Sequence, residues 1–180
     1  MGRVTCNKER TGILMSNPML SNSLDNLLKN KSSLNHIEVD QRKAAIETHE
    51  PLVIANVPVT VGRLAVVLNR IDYMTESDVE YNSILVVFTN EADVENFVAT
   101  RRFAGSTTVN QIVSKIKGAY PIPYKNIIID NANAIQEEDL SVIIQFISEN
   151  RQSLFVVGNV AESTVMNTLI DSGAFTVYNL

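Results

Sequence analysis

The chain has 180 residues, of which 45% are hydrophobic and 19% charged, and its 15 basic and 20 acidic side chains give a formal net charge of −5. This composition is typical of a globular domain with a sizeable core, and it excludes disordered and collagen-like chains. The chain contains one cysteine, Cys6, and two histidines, His36 and His49. These few residues exclude a disulfide scaffold and a Cys-rich zinc site, so no metal site is predicted.

No apolar stretch approaches the roughly 20 residues that a membrane span needs, and the first residues lack the apolar core of a signal peptide. We therefore expect a cytoplasmic protein without a membrane span. Residues 1–36 hold five of the basic side chains and only two of the acidic ones, so the rest of the chain is the more acidic part. Because that part repels phosphates and the chain has no Trp for base stacking, a nucleic-acid partner is not expected.

Seven short apolar runs, most of them continuous and rich in Ile and Val, predict strands along the chain. They are residues 12–15, 36–39, 51–55, 83–88, 126–129, 153–157 and 175–178. Apolar residues spaced three and four apart predict amphipathic helices over 20–27, 64–71, 109–116 and 140–147. Continuous apolar strands that alternate with helices are typical of a parallel sheet covered on both faces.

The predicted fold is therefore an α/β three-layer sandwich. Its mainly parallel sheet has about six or seven strands flanked by helices. Residues 1–180 are expected to form a single domain, with residues 1–11 as a flexible N-terminal arm.

Several polar residues mark the expected ends of helices. Asn90 with Asp93, and Thr107 or Thr108, are suited to cap two helix starts, and Gly118 to end a helix. Residues 72–82 are polar and acidic and predict a surface loop. The pair at residues 101 and 102, both arginine, is typical of a solvated helix end, and the carboxylates at residues 137–139 are typical of a first helical turn.

The segment after the strand at 51–55 leads directly into a helix, as a phosphate-binding loop does. The pattern of such a loop is G-x-x-x-x-G-K-[S/T], and here only Gly62 matches it. Val57 stands at the first glycine, Arg63 at the phosphate-binding lysine and Leu64 at the magnesium-binding hydroxyl. Pro58 also removes a backbone N–H from the loop. The segment therefore lacks most of the chemistry of a phosphate cradle.

The strand at 126–129 is followed by Asp130 and Asn131. An apolar strand that ends in Asp has the form of the second nucleotide-binding motif, in which the carboxylate holds magnesium. The next position, often a Glu that orients water, is Asn131. A magnesium ligand is thus present without its usual neighbour.

Together the strand, loop and helix at 51–71 and the strands at 83–88, 126–130 and 153–157 resemble the core of P-loop NTPases. The resemblance implies a fold that is P-loop NTPase-like or Rossmann-like. The segment looks most like the FtsK/EccC branch, the DNA translocases and type VII secretion ATPases, over about residues 50–180. The resemblance implies a degenerate, non-hydrolysing member that serves as a docking or regulatory module.

The layout is also similar to a response-regulator receiver domain. In one register, residues 11–18 hold the first strand, Ser16 and Asn17 replace its acidic residues, and Thr89 matches the switch hydroxyl. In a second register, Asp130 is the phosphoacceptor. Either register implies a pseudo-receiver without a magnesium pocket.

The sequence therefore predicts a non-catalytic, degenerate P-loop ATPase-like domain that docks or regulates a protein partner, within a secretion or DNA-translocation motor. No catalytic residue and no cofactor are predicted. The alternatives are a pseudo-receiver adaptor and a residual nucleotide-binding ATPase. In the second alternative Gly62, Arg63 and Asp130 would hold ATP and magnesium, with Arg63 replacing the lysine electrostatically.

Overall fold

The computed structural model describes residues 41–58 and 62–180. Residues 41–180 form one compact unit. The strands predicted at 12–15 and 36–39, the helix at 20–27 and the arm at 1–11 lie outside the described residues.

The unit is built on a single sheet of six strands, all paired in parallel, in the order β3-β2-β4-β5-β1-β6. The strands are β1 (Leu52–Asn56), β2 (Ile84–Phe88), β3 (Gly105–Thr108), β4 (Asn126–Ile129), β5 (Ser153–Gly158) and β6 (Thr176–Asn179). Five of them fall where apolar runs predict strands. β3 is the exception, because its sequence GSTT at the sheet edge has no apolar run to detect.

Within residues 41–58 and 62–180, six α-helices connect and flank the strands. Residues 41–47 are helical and are called α1. The others are α2 (Arg63–Glu76), α3 (Glu91–Ala99), α4 (Val109–Lys117), α5 (Glu137–Asn150) and α6 (Thr164–Asp171). The surface loop predicted from residue 72 begins later than expected, because α2 continues to Glu76 and buries Met74 in the core.

The sheet is covered on both faces, and alternate residues of each strand point to opposite sides. Along β1, Val53 and Ala55 pack with α2 and α3, whereas Ile54 packs with α4, α5 and α6. The chain runs one way along the sheet from β1 to β3 and then back to β6, and right-handed crossovers place the two sets of helices on opposite faces. The three-layer α/β sandwich is confirmed.

The predicted helix ends are largely confirmed. Asn90 accepts a hydrogen bond from the N–H of Asp93, and Thr108 forms a capping box with Gln111 at the start of α4. Gly118 is the C-cap of α4. Thr107, the other cap candidate, lies instead in β3.

Candidate functional site

The carboxyl ends of the six parallel strands meet at one edge of the sheet, which we call the carboxyl edge. There β2 and β4 lie side by side, but the helices that follow them, α3 and α5, pack on opposite faces. Chains that diverge in this way leave a crevice between them, the usual ligand position in open parallel sheets. Asp130 and Asn131 directly follow β4 at this crevice.

The structure brings two of the three predicted site residues together. Arg63 Nε lies 3.6 Å from Asp130 Oδ1, close enough for an ion pair but beyond hydrogen-bond distance. The Asp130 side chain is 7% exposed, whereas that of Arg63 is 38% exposed. Gly62 is the N-cap of α2, and a Cβ there would meet only the Ala65 Cβ at 3.8 Å. These two features do not place Gly62 in a binding site.

Asp130 is held rigidly at the end of β4, where its N–H donates to the carbonyl of Val87. Burial raises the pKa of its carboxyl group above the ordinary value, and the nearby Asp93 carboxylate adds to that rise. Arg63 and a hydrogen bond from the Asn131 backbone act in the opposite direction without cancelling it. The ion pair therefore does not fully compensate the charge on Asp130 for its loss of water.

Three polar atoms around this crevice are buried without a hydrogen-bond partner among the described residues. They are Arg63 Nε, Asp130 Oδ1 and Asn131 Oδ1. Asn131 also has left-handed backbone geometry, with φ of 57°, which Asn tolerates better than most residues. Buried polar atoms are usually paired, so these three are the strongest sign of a binding position at the carboxyl edge.

Val57 and Pro58, the described residues directly after β1, do not offer backbone groups to a phosphate cradle. Val57, at the position of the first glycine, is buried, and its N–H donates to the carbonyl of Gly158 at 2.9 Å, so that group is already used by the sheet. Pro58 has no N–H to donate. Leu64, at the position of the hydroxyl, packs against the core on the α2 side of the sheet. Residues 59–61 lie outside the described residues.

A network of amides at the same edge was not anticipated from the sequence. Asn56 donates from Nδ2 to Asn179 Oδ1 at 2.9 Å and accepts from the N–H of Val160 at 3.0 Å. Asn133 Oδ1 accepts from the N–H of Asn159. The sequence feature that could have predicted this network is the recurrence of Asn at or just after the ends of β1, β5 and β6. These bonds tie the strand ends together, so they stabilise the edge that carries Asp130.

The other charged side chains noted in the sequence differ in their surroundings. Arg102 was expected to be solvated but forms a two-pronged pair with Asp72, at 2.9 Å from Nε and 2.8 Å from Nη2. The pair links the end of α3 to α2, and the hydrogen bond raises the pKa of Arg102. Arg101 is exposed. Glu137, Glu138 and Asp139 occupy the first turn of α5 as predicted.

No protein-family model matches the sequence, and no curated protein matches it. Among solved structures, the chain is similar to the UvsW helicase from Bacteriophage T4, with a TM-score of 0.56 and 16% sequence identity. The match covers 78% of this chain and 59% of the helicase chain.

The shared feature is the fold. This chain and part of the helicase chain share an α/β fold, which here is a parallel six-stranded sheet. Nothing in these comparisons supports the finer assignment to the FtsK/EccC branch or to a pseudo-receiver. Within the described residues, no helix combines the length and apolar character needed to cross a bilayer.

Proposed function

We propose that this chain is a P-loop-like domain that does not hydrolyse nucleotides and acts as a docking or regulatory module for a protein partner. The observation that carries this proposal is the pairing of Arg63 with Asp130 across 3.6 Å. These two side chains stand where the resemblance places the phosphate-binding lysine and the magnesium-binding aspartate. They face each other, so each already neutralises part of the other's charge.

The surroundings of the pair support the same conclusion. A triphosphate needs several free backbone N–H groups at the loop, yet Val57 uses its N–H in the sheet and Pro58 has none. The Leu64 side chain offers no oxygen to a metal ion and packs, partly buried, against the core. The fold is retained, while the groups that would bind and polarise a phosphate are replaced.

The expected partner class is a secretion or DNA-translocation motor, which rests on the sequence resemblance to the FtsK/EccC branch. Exposed apolar side chains provide surface for such a partner: Phe103 is 82% exposed, Tyr120 65% and Val98 59%. Phe103 also stacks edge-to-face on Tyr81, which holds the ring in place on the surface.

Thermal unfolding with and without millimolar ATP or ADP and magnesium tests the nucleotide part of the proposal. A ligand present at about 100 times its dissociation constant would add roughly 2.7 kcal/mol to the free energy of unfolding. We expect no such increase. An increase that is lost in Asp130→Ala and in Gly62→Val would refute the proposal and establish a nucleotide site.

The docking part is tested by recovering partners from cells that produce the protein. A docking module should lose its partner on Phe103→Ser and keep it on Asp130→Asn. Loss of the partner on Asp130→Asn alone would instead locate the interaction at the carboxyl edge.

A residual nucleotide-binding ATPase is the second candidate, favoured by the three buried polar atoms at the crevice that have no hydrogen-bond partner among the described residues. A bound ligand would supply the missing partners. The pseudo-receiver alternative has weaker support, because receiver domains have the strand order 2-1-3-4-5. In the register that makes Asp130 the phosphoacceptor, β1 lies between the last two strands of that order.

A further inference from the structure

Residues 41–50, which we call the strap, comprise α1 and the residues between it and Pro51. Within the strap only Ala45 is buried, and the apolar clusters on the two faces of the sheet include no strap residue. Burial of apolar area is the main force that holds an element to its core. The strap gains little stability in this way, so polar contacts supply most of its attachment.

Arg70, on α2, makes the strongest of these polar contacts. It is buried, and its Nη1 donates to the carbonyl oxygens of Ile46 at 2.5 Å and Thr48 at 2.7 Å. Carbonyl groups in the last turn of a helix have no partner within the helix, so Arg70 caps the end of α1. The guanidinium carbon also lies 5.2 Å from the ring centre of Phe155 on β5, which places the charge over an aromatic face.

Two weaker contacts complete the attachment of the strap. Tyr178 Oη donates to Thr48 Oγ1 at 3.1 Å, and Tyr73 Oη lies 3.4 Å from His49 Nε2. Among the described residues, no carboxylate lies within ion-pair distance of Arg70. The two carbonyl groups of the strap are therefore the main hydrogen-bond acceptors for this buried charge, and the strap and Arg70 stabilise each other.

We propose that the strap opens as one unit while the sheet and its other helices stay folded, with Arg70 as the clamp that keeps it closed. Elements with few buried apolar contacts open at a lower free energy than the core does. Opening breaks the two hydrogen bonds of Arg70 but exposes little apolar area. The inference does not involve the carboxyl edge, so it stands independently of the proposed function.

Hydrogen exchange of the full chain, followed by NMR at urea concentrations below the unfolding transition, tests the inference. Urea lowers the free energy of an opening in proportion to the surface that the opening exposes. The amides of residues 45–47 should exchange faster than those of β4 and β5, and their rates should depend only weakly on urea. Strap amides that share the rates and the urea dependence of β4 and β5 would overturn the inference, because the strap would then unfold only with the whole unit.

Arg70→Met tests the clamp. The substitution removes both hydrogen bonds to the strap, so exchange at residues 45–47 should quicken about tenfold or more, while β4 and β5 stay protected. Unchanged exchange at residues 45–47 would show that Arg70 is not the clamp. If Arg70→Met does not fold, Tyr178→Phe removes only the hydroxyl bond to Thr48 and should quicken the same amides several-fold. Unchanged exchange in that variant would equally overturn the inference.

Arg102→Met is the matched control. Arg102 pairs with Asp72, two residues from Arg70 on the same helix, and this pair stays intact when the strap opens. The substitution should therefore leave exchange at residues 45–47 unchanged, even where it quickens exchange in β4 and β5. Equal quickening of the strap and the core strands in Arg102→Met would show that both report one global opening, which the inference forbids.

Discussion

Replacing Asp130 with Asn should stabilise the protein at neutral pH, although Asp130 belongs to the candidate site. The substitution preserves the size and shape of the side chain and removes its charge. A buried carboxylate loses several kcal/mol of hydration free energy. Its Coulomb attraction to a cation 3.6 Å away is of comparable size before screening by water, roughly 4 to 5 kcal/mol in a medium of intermediate polarity.

The balance between these terms is set by exposure. Arg63 is 38% exposed, so water screens its attraction for Asp130, and the raised pKa of Asp130 shows that burial outweighs that attraction. We therefore expect Asp130→Asn to increase the free energy of unfolding by about 1 kcal/mol.

The pH dependence has a definite sign. The native carboxyl group has a raised pKa, so the native state holds its proton more tightly than the unfolded state does. Stability should fall as the pH rises from the ordinary Asp pKa through the raised native value, and stay at that lower level above it. Urea unfolding followed by circular dichroism, from acidic to neutral pH, should show a smaller fall in the free energy of unfolding for Asp130→Asn than for the original protein.

Arg63→Gln tests the other member of the same ion pair. It should destabilise the original protein by about 1 kcal/mol, since it leaves the buried carboxylate unpaired, and have almost no effect in the Asp130→Asn background. A fall of more than about 1 kcal/mol in the free energy of unfolding of Asp130→Asn, with the pH dependence unchanged, would contradict this expectation. The ion pair would then be a net source of stability.

Three further changes test contacts elsewhere in the fold. Arg70 is buried and donates to the carbonyls of Ile46 and Thr48, so Arg70→Met should cost about 2 to 3 kcal/mol in urea unfolding. Thr108→Ala should cost about 1 kcal/mol by removing the cap of α4, while Thr108→Ser should retain most of it. Arg102→Ala should cost less than about 1 kcal/mol in thermal unfolding, because its pair with Asp72 is partly exposed.

Most of the described sheet could be predicted because buried strands and amphipathic helices leave different apolar periods in the sequence. The strand β3 could not, since its residues are small and polar and it owes its place to pairing with β2. The extension of α2 to Glu76 was missed for a related reason. Asp72 and Glu76 made the segment look like a loop, although Met74 between them is buried.

The sequence predicted which residues of the candidate site lie at strand and helix ends, but it did not predict which of them contact each other. Asp130 was identified because it directly follows the apolar strand β4, and Arg63 because it begins the helix after the loop that follows β1. Their distance of 3.6 Å depends on the strand order, which brings residues far apart in sequence to one edge. The amides of Asn56 and Asn179 were missed because Asn after a strand is also an ordinary turn residue.

The position of β1 has a consequence for how the chain folds. Although β1 is the first strand of the described sheet, its two neighbours are β5 and β6, so Leu52 pairs with Leu154 and Val53 with Thr176. Contacts over such long sequence separations slow folding, and on the ribosome β1 must wait until both late strands have been made. The apolar side chains of β1 stay without their neighbours during that time.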